Sequence, residues 1–187
     1  MAVGSISGAK FCYNKLQVVW VDAHADINTE ETSPSGNLHG MPLAILSGMH
    51  GWMGDRFLCI DPTRDLQYVG VRDCDPGELD VIERLAIPVH RDLDRNQLNS
   101  KKRPIWLSLD VDVLDPSVVK ATGTPSDNGL SMAQLSSILQ ATVPSAVGMD
   151  LAELNFDLCS ASELESQLEL CRQIIEETIR LRKAPYG

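Results

Sequence analysis

Asp22-Ala23-His24-Ala25-Asp26 places three metal-ligand side chains within five residues, directly after the apolar run Val18-Val19-Trp20-Val21. A second cluster, Asp110-Val111-Asp112, closes another apolar run, Ile105-Trp106-Leu107-Ser108-Leu109. Alternation along a strand sends residues i, i+2 and i+4 to one side, so Asp22, His24 and Asp26 are expected to converge, and so are Asp110 and Asp112. Mostly carboxylate, with one imidazole and no thiolate, such a set suits a hard or borderline divalent ion. Two ions held close together would need bridging carboxylates to offset their repulsion, and manganese fits best. A single Asp-x-Asp after a strand is commonly a loop start or a helix cap. Asp-x-His-x-Asp is harder to read that way, because three polar groups ending an apolar strand are costly without a cation.

The elements that must position these residues alternate between strand-like and helix-like stretches. Strands are expected at Gln17–Val21, Leu66–Val71, Ile105–Leu109 and Ala146–Leu151, each a short apolar run with polar residues at its C-terminal end, as in parallel strands buried on both faces. Pro76 to Leu85 reads as a helix with Asp75 as its N-cap, and Ser131 caps a helix from Met132 to about Ala141. Ser162-Glu163-Leu164-Glu165 has capping-box spacing, and Leu164, Leu168, Cys171, Ile175 and Ile179 then form an apolar stripe expected to face the core. The motifs all fall at the C-terminal ends of strands, where open α/β sheets bind ligands. Glu153, just past the fourth strand, can face the same crevice.

Composition bounds the function. With 187 residues and 43% hydrophobic content the chain can bury a real core. Lys+Arg 16 against Asp+Glu 26 gives a net charge of −10, which disfavours nucleic acid and anionic membranes as partners. The 5 cysteines show no Cys-x-x-Cys spacing, so reduced thiols are expected rather than a disulfide framework or a structural zinc site. No apolar run is long enough to span a bilayer, and the first residues lack a signal peptide's apolar core. A cytoplasmic location is the expectation.

Six segments together carry a resemblance. They are Val21 to Thr29, Ser35-Gly36-Asn37-Leu38-His39-Gly40, Val71 to Glu78, Ser108 to Pro116, Ala121-Thr122-Gly123-Thr124-Pro125 and Gly148-Met149-Asp150-Leu151-Ala152-Glu153. In this order they resemble the arginase family, and the Ser-Gly-Asn-Leu-His-Gly and Asp-Pro-Gly-Glu segments resemble arginase proper rather than agmatinase. The resemblance implies a three-layer α/β/α fold, with one parallel sheet flanked by helices on both faces, and a single domain over 1–187. It implies hydrolysis of L-arginine to L-ornithine and urea, dependent on two Mn2+ ions and a hydroxide bridging them, in a homo-oligomer, a trimer by resemblance. Asp22 and Asp110 would bridge the ions, Asp26 would join the first, and His24 and Asp112 the second.

His39 would move a proton toward the departing amine and Glu153 would receive the guanidinium, a pairing that suits carboxylate geometry. Asn28 and Ser35 would hold the α-carboxylate, Asp75 and Glu78 the α-amino side, and Thr124 would line the site. Read without the resemblance, Asn28 makes an Asx turn, Asp75 an N-cap, and His39 an ordinary loop residue.

The resemblance also implies a Gly-Gly-Asp-His-Ser segment supplying a further histidine to the first ion, and Ala2 to Gly8 matches the stretch directly C-terminal to that segment. The chain is therefore expected to be the C-terminal two-thirds of such a domain, with one metal position short of its histidine. Pro125-Ser126-Asp127-Asn128-Gly129 departs from the more apolar, glycine-rich family pattern. His50 and His90 match no ligand and are expected to be surface or packing residues. Two other readings stand beside arginase: an agmatinase-like hydrolase, and a shortened, catalytically impaired form serving as a subunit or binding protein.

Overall fold

The computed structural model describes residues 1–49, 60–91, 93, 98 and 103–183, so His50 lies outside the described residues. Five strands form one sheet: β1 (Gln17–Val21), β2 (Leu66–Val69), β3 (Val89–His90), β4 (Ile105–Asp110) and β5 (Ala146–Ala152). Every pairing is parallel, in the order β3-β2-β1-β4-β5. The chain winds outward from β1 through β2 to β3, then returns to the other side of β1 for β4 and β5. The strand order thus reverses between β1 and β4, and at such a switch point the loops part and leave a crevice.

Alternation explains the layers. Val19, Val21, Leu107 and Leu109 point into one core with Leu135 and Ile138 of α5 (Met132–Thr142) and Leu170 and Ile174 of α6 (Leu164–Lys183). Val18, Trp20, Leu66 and Tyr68 point into the other, with Ile6 of α1 (Ala2–Cys12), Leu43 and Leu46 of α2 (Pro42–Leu46) and Val81 of α4 (Pro76–Leu85). Helices therefore cover both faces, as expected. α4 has the expected bounds, because Pro76 starts it and Glu78 reaches back to accept the Asp75 N–H at 2.9 Å.

The structure corrects several expectations. β2 stops at Val69, two residues short of Val71, because Gly70 leaves the extended conformation with φ +84; the position also suits glycine in that a Cβ there would come within 2.4 Å of Val113. The two-residue β3 and the helix α1 were not expected, and neither was the short α3 (Pro62–Asp65). His90 lies half-buried in β3. At the start of α6, Glu163 pairs with Ser160, not Ser162 with Glu165: its carboxylate accepts the Ser160 N–H at 3.0 Å.

The stripe on α6 is the larger correction. Leu164, Leu168, Ile175 and Ile179 are 38%, 49%, 45% and 47% exposed, and Cys171 is half-buried. The packed face is the neighbouring one, Gln167, Leu170 and Ile174. Gln167 takes a core position because its amide is satisfied there: it accepts the N–H groups of Lys120 at 2.8 Å and Ala121 at 3.4 Å, and donates to the Val118 carbonyl at 3.2 Å. Gln167→Leu is expected to cost about 1–3 kcal/mol in urea denaturation, since it strands these backbone groups. Hydrogen exchange should rise at residues 118–121; an unchanged midpoint would show that water replaces the amide.

Away from the crevice, Asp65 is fully buried and receives Lys10 Nζ at 3.2 Å, Arg64 Nε at 3.0 Å, the Asp61 N–H at 3.2 Å and Arg103 Nη2. Arg103 also donates to the carbonyls of Lys15, Leu16 and Arg64, each at 3.0 Å. Burial alone would raise the Asp65 carboxyl, but its bonds from Arg64 and Arg103 outweigh this and hold it well below the usual carboxylate range.

Candidate metal centre

Asp22 leaves β1 and is 1% exposed. Its Oδ2 accepts from Trp20 Nε1 at 3.0 Å and its Oδ1 from the His24 N–H at 2.8 Å. The chain is no longer a strand here. His24 forms an isolated bridge with Asp73, and Asp26 has φ +49, in the left-handed region. Asp26 is held in that turn by the Leu43 N–H on its carbonyl at 3.0 Å, while the Ile27 N–H bonds Glu78 Oε1 at 3.0 Å and Tyr68 Oη donates to the Ala25 carbonyl at 2.7 Å. Asp110 ends β4, and a 3-10 turn over Val111–Val113 swings Asp112 back. Convergence is therefore achieved by two bent strand ends, not by the strand alternation expected from the sequence.

The result is two overlapping groups, Asp22 with His24 and Asp112, and Asp22 with Asp26 and Asp110, each with ligand atoms within 4.8 Å of one another. Asp22 belongs to both. Among the described residues no histidine joins the second group. His24 Nδ1 lies 3.4 Å from Asp22 Oδ1 and 3.3 Å from Asp112 Oδ2, and its Nε2 lies 3.8 Å from Asp73 Oδ2. Thr124 Oγ1 donates to Asp112 Oδ2 at 2.8 Å.

The charges show what this arrangement asks for. The bonds to Asp112 and Asp22 push the His24 imidazole up to about 11. Burial drives Asp26 well above its ordinary value, with Asp110 adding to it, and burial followed by Asp22 does the same to Asp110. Asp22 rises through burial, opposed by its His24 bond and reinforced by Asp26 and Asp112. Asp112 moves down: burial opposes this, but its bonds from His24 and Thr124 outweigh burial. Crowding and burial thus push the carboxyls of Asp22, Asp26 and Asp110 toward their neutral forms, and a divalent cation bound among them would let them ionise together. The donor set fits a hard or borderline ion.

A cavity of about 210 Å³ opens beside both groups, lined by His24, Asp26, Asn28, Ser33, Ser35, His39, Gly40, Asp73, Asp75, Glu78, Asp110, Asp112, Thr124 and Glu153. Its lining includes every metal-ligating, catalytic or substrate-binding candidate named from the sequence except Asp22, which is buried. Asn28 Nδ2 donates to Asp75 Oδ2 at 2.8 Å and its Oδ1 accepts from Thr32 at 2.9 Å, so the pair forms one wall. Glu78 is 4% exposed and spends its carboxylate on the N–H groups of Ile27 and Asp75, fixing Asp75 from behind. Glu153 approaches from β5 with φ +61. Ser33 and Asp73 also line the cavity and were not singled out; both sit beside motif residues, in Thr32-Ser33-Pro34-Ser35 and Val71-Arg72-Asp73.

A sequence model of the arginase family matches residues 1–178. The chain belongs to the arginase family. It is similar to the hepatic arginase of Aquarana catesbeiana, 44% identical over 153 residues, which covers 70% of this chain and 47% of that one. Among solved structures it is similar to the arginase of Bacillus subtilis, with TM-score 0.80 and 26% identity over 100% of this chain and 70% of that one. It is similar also to the Entamoeba histolytica arginase in complex with L-ornithine, with TM-score 0.77 and 27% identity over 97% of this chain and 65% of that one. This arginase-family chain spans about half to three fifths of the length of the curated relatives it matches. The parallel sheet covered on both faces is the arginase fold. Among the described residues, no helix is long and apolar enough to cross a membrane.

Proposed function

We propose that this chain binds manganese at the Asp22 centre and hydrolyses L-arginine to L-ornithine and urea. The observation that carries the reading is the pair of ligand groups sharing Asp22, set at the floor of a small polar cavity walled by Asn28 and Asp75. A relative solved with L-ornithine supports an amino-acid product of this length. Asp22 and Asp110 would be shared between two ions, Asp26 would serve one, and His24 with Asp112 the other. Bound there, manganese would supply the Lewis acidity that lets water act as a strong nucleophile near neutral pH.

The protein's own groups do the rest. Glu153 can pair with the guanidinium through both carboxylate oxygens, holding its carbon over the Asp22 centre. Hydrolysis breaks the bond from that carbon to the alkyl nitrogen, which must gain a proton as it leaves; His39, on the cavity wall, is suited to deliver it. Asn28 and Ser35 would receive the α-carboxylate, Asp75, braced by Glu78, the α-amino group, and Thr124 holds Asp112 in place. We assign residues 1–187 to a single arginase-like domain acting in the cytoplasm as a homo-oligomer, a trimer by resemblance. The free thiols at Cys12, Cys74, Cys159 and Cys171 suit a reducing compartment.

Urea release from arginine and from agmatine, with manganese counted after desalting, tests the reading. Arginine should be the substrate used. Fewer than two ions per chain should be retained at micromolar metal, because among the described residues the Asp22, Asp26 and Asp110 group holds only carboxylates. Two retained ions would mean that a further ligand completes the group. Turnover of agmatine alone would move the assignment to an agmatinase-like enzyme, and metal binding without urea would favour a subunit that binds but does not catalyse.

A further inference from the structure

The most heavily engaged side chain around the crevice is not one of the residues that line it. Arg72 follows β2, and all five of its guanidinium N–H groups meet backbone carbonyls. Nε donates to Asp127 at 2.9 Å, Nη1 to Gly70 at 3.1 Å and Val113 at 3.2 Å, and Nη2 to Asp112 at 2.9 Å and Ser126 at 2.8 Å. Its own N–H bonds the Ala23 carbonyl at 2.9 Å. One residue thus ties the 22–26 turn, the 3-10 turn that carries Asp112, and the loop that follows Thr124. These are the segments whose spacing decides whether His24 and Thr124 both reach Asp112, as they do at 3.3 Å and 2.8 Å.

We propose that Arg72 is a positioning residue for the metal centre, fixing Asp112 between His24 and Thr124 by clamping the carbonyls of residues 112–113 and 126–127. The proposal rests on the metal reading above. The polar loop Pro125 to Gly129 has a use in this light: two of its carbonyls, at Ser126 and Asp127, complete the clamp. A planar fork with donors spread around its rim can reach carbonyls arriving from separate segments. A lysine, with three donors on one nitrogen, cannot, so the charge alone does not substitute.

The intact chain is compared with Arg72→Gln, Arg72→Lys, Asp112→Ala and the double variant Arg72→Gln/Asp112→Ala. Two quantities are read: free Mn2+ by its electron paramagnetic resonance signal during titration, and hydrogen exchange of the metal-free chains. Arg72→Gln should weaken Mn2+ binding by about 10–100-fold, the range for groups that orient metal ligands. Arg72→Lys should recover less than half of that loss on a logarithmic scale. In the Asp112→Ala background the same Arg72 change should have no further effect, because the residue it positions is gone. Without metal, exchange should rise at residues 111–114 and 125–128 while β1 and β4 keep their protection.

Full Mn2+ affinity in Arg72→Gln, or an undiminished loss in the Asp112→Ala background, would overturn the proposal. So would exchange rising evenly through the sheet, which would mark Arg72 as a general contributor to stability. If the unaltered chain binds no Mn2+, the metal reading fails by itself, and the exchange pattern still decides whether Arg72 holds these loops.

Discussion

Asp110→Ala is expected to lower urea release from arginine by at least about 100-fold, more than the loss of a partner that merely orients a ligand. The reason is its place. Asp110 lies within ligand distance of Asp22 and Asp26, and burial beside Asp22 raises its carboxyl, so a positive ion is what would allow it to ionise. Removing it leaves one group with two carboxylates and disturbs Asp22, which serves the other group as well. Retained manganese should fall in the same variant, while any binding of arginine through Asn28, Ser35 and Asp75, the contacts proposed above, should be unaffected. Urea release that survives Asp110→Ala unchanged would show that the catalyst is some other protein in the preparation.

The second large effect concerns stability and lies far from the crevice. Asp65→Asn is expected to cost about 3 kcal/mol, the lower end for removing one partner of a buried ion pair, or roughly 6–12 °C in melting temperature for a domain of this size. Lys10 and Arg103 would lose their shared partner, and the contacts joining α1, α3 and the start of β4 would loosen. The pH dependence has a definite sign. A carboxyl lowered in the folded state contributes fully above its unfolded value of about 4, and that contribution is lost as the pH falls through the lower folded value. The gap between the parent chain and Asp65→Asn should be constant from pH 7 to about pH 5 and narrow below about pH 4. A gap that stays constant at low pH would mean that shape, rather than charge, makes the contribution.

The strands were legible because burial on both faces leaves little choice of residue: Val18 to Val21 and Ile105 to Leu109 can hardly be anything but interior. The cluster of aspartates and one histidine that could hold a metal was legible by residue type, although strand alternation is not what brings it together. Alternation holds only while the chain stays extended, and the positive φ at Asp26 and the 3-10 turn at Val111–Val113 are set by contacts from Leu43, Glu78 and Arg72. Those partners are remote in sequence, so no local pattern announces them. The face of α6 failed for a related reason. Periodicity finds apolar stripes, but it cannot tell that Gln167 is as good a core residue as Leu168 when three backbone groups of a distant loop await its amide. The two-residue β3 has too few side chains to form any pattern and is defined by its backbone pairing.

The pairing of β1 with β4 carries a kinetic consequence. The Ala23 N–H meets Asp112 Oδ1 across 89 positions of sequence, and the intervening chain must fold β2, α4 and β3 or leave them dangling before that contact can close. Contacts of this separation are slow to form, because loop-closure entropy is lost before they return any energy. His24 and Asp112 therefore come within reach of one ion only after β4 has docked beside β1. In a refolding experiment manganese capture should lag behind the recovery of helical signal, and added metal should slow unfolding far more than it speeds folding. The ion would act as a latch on the finished sheet, not as a seed for it.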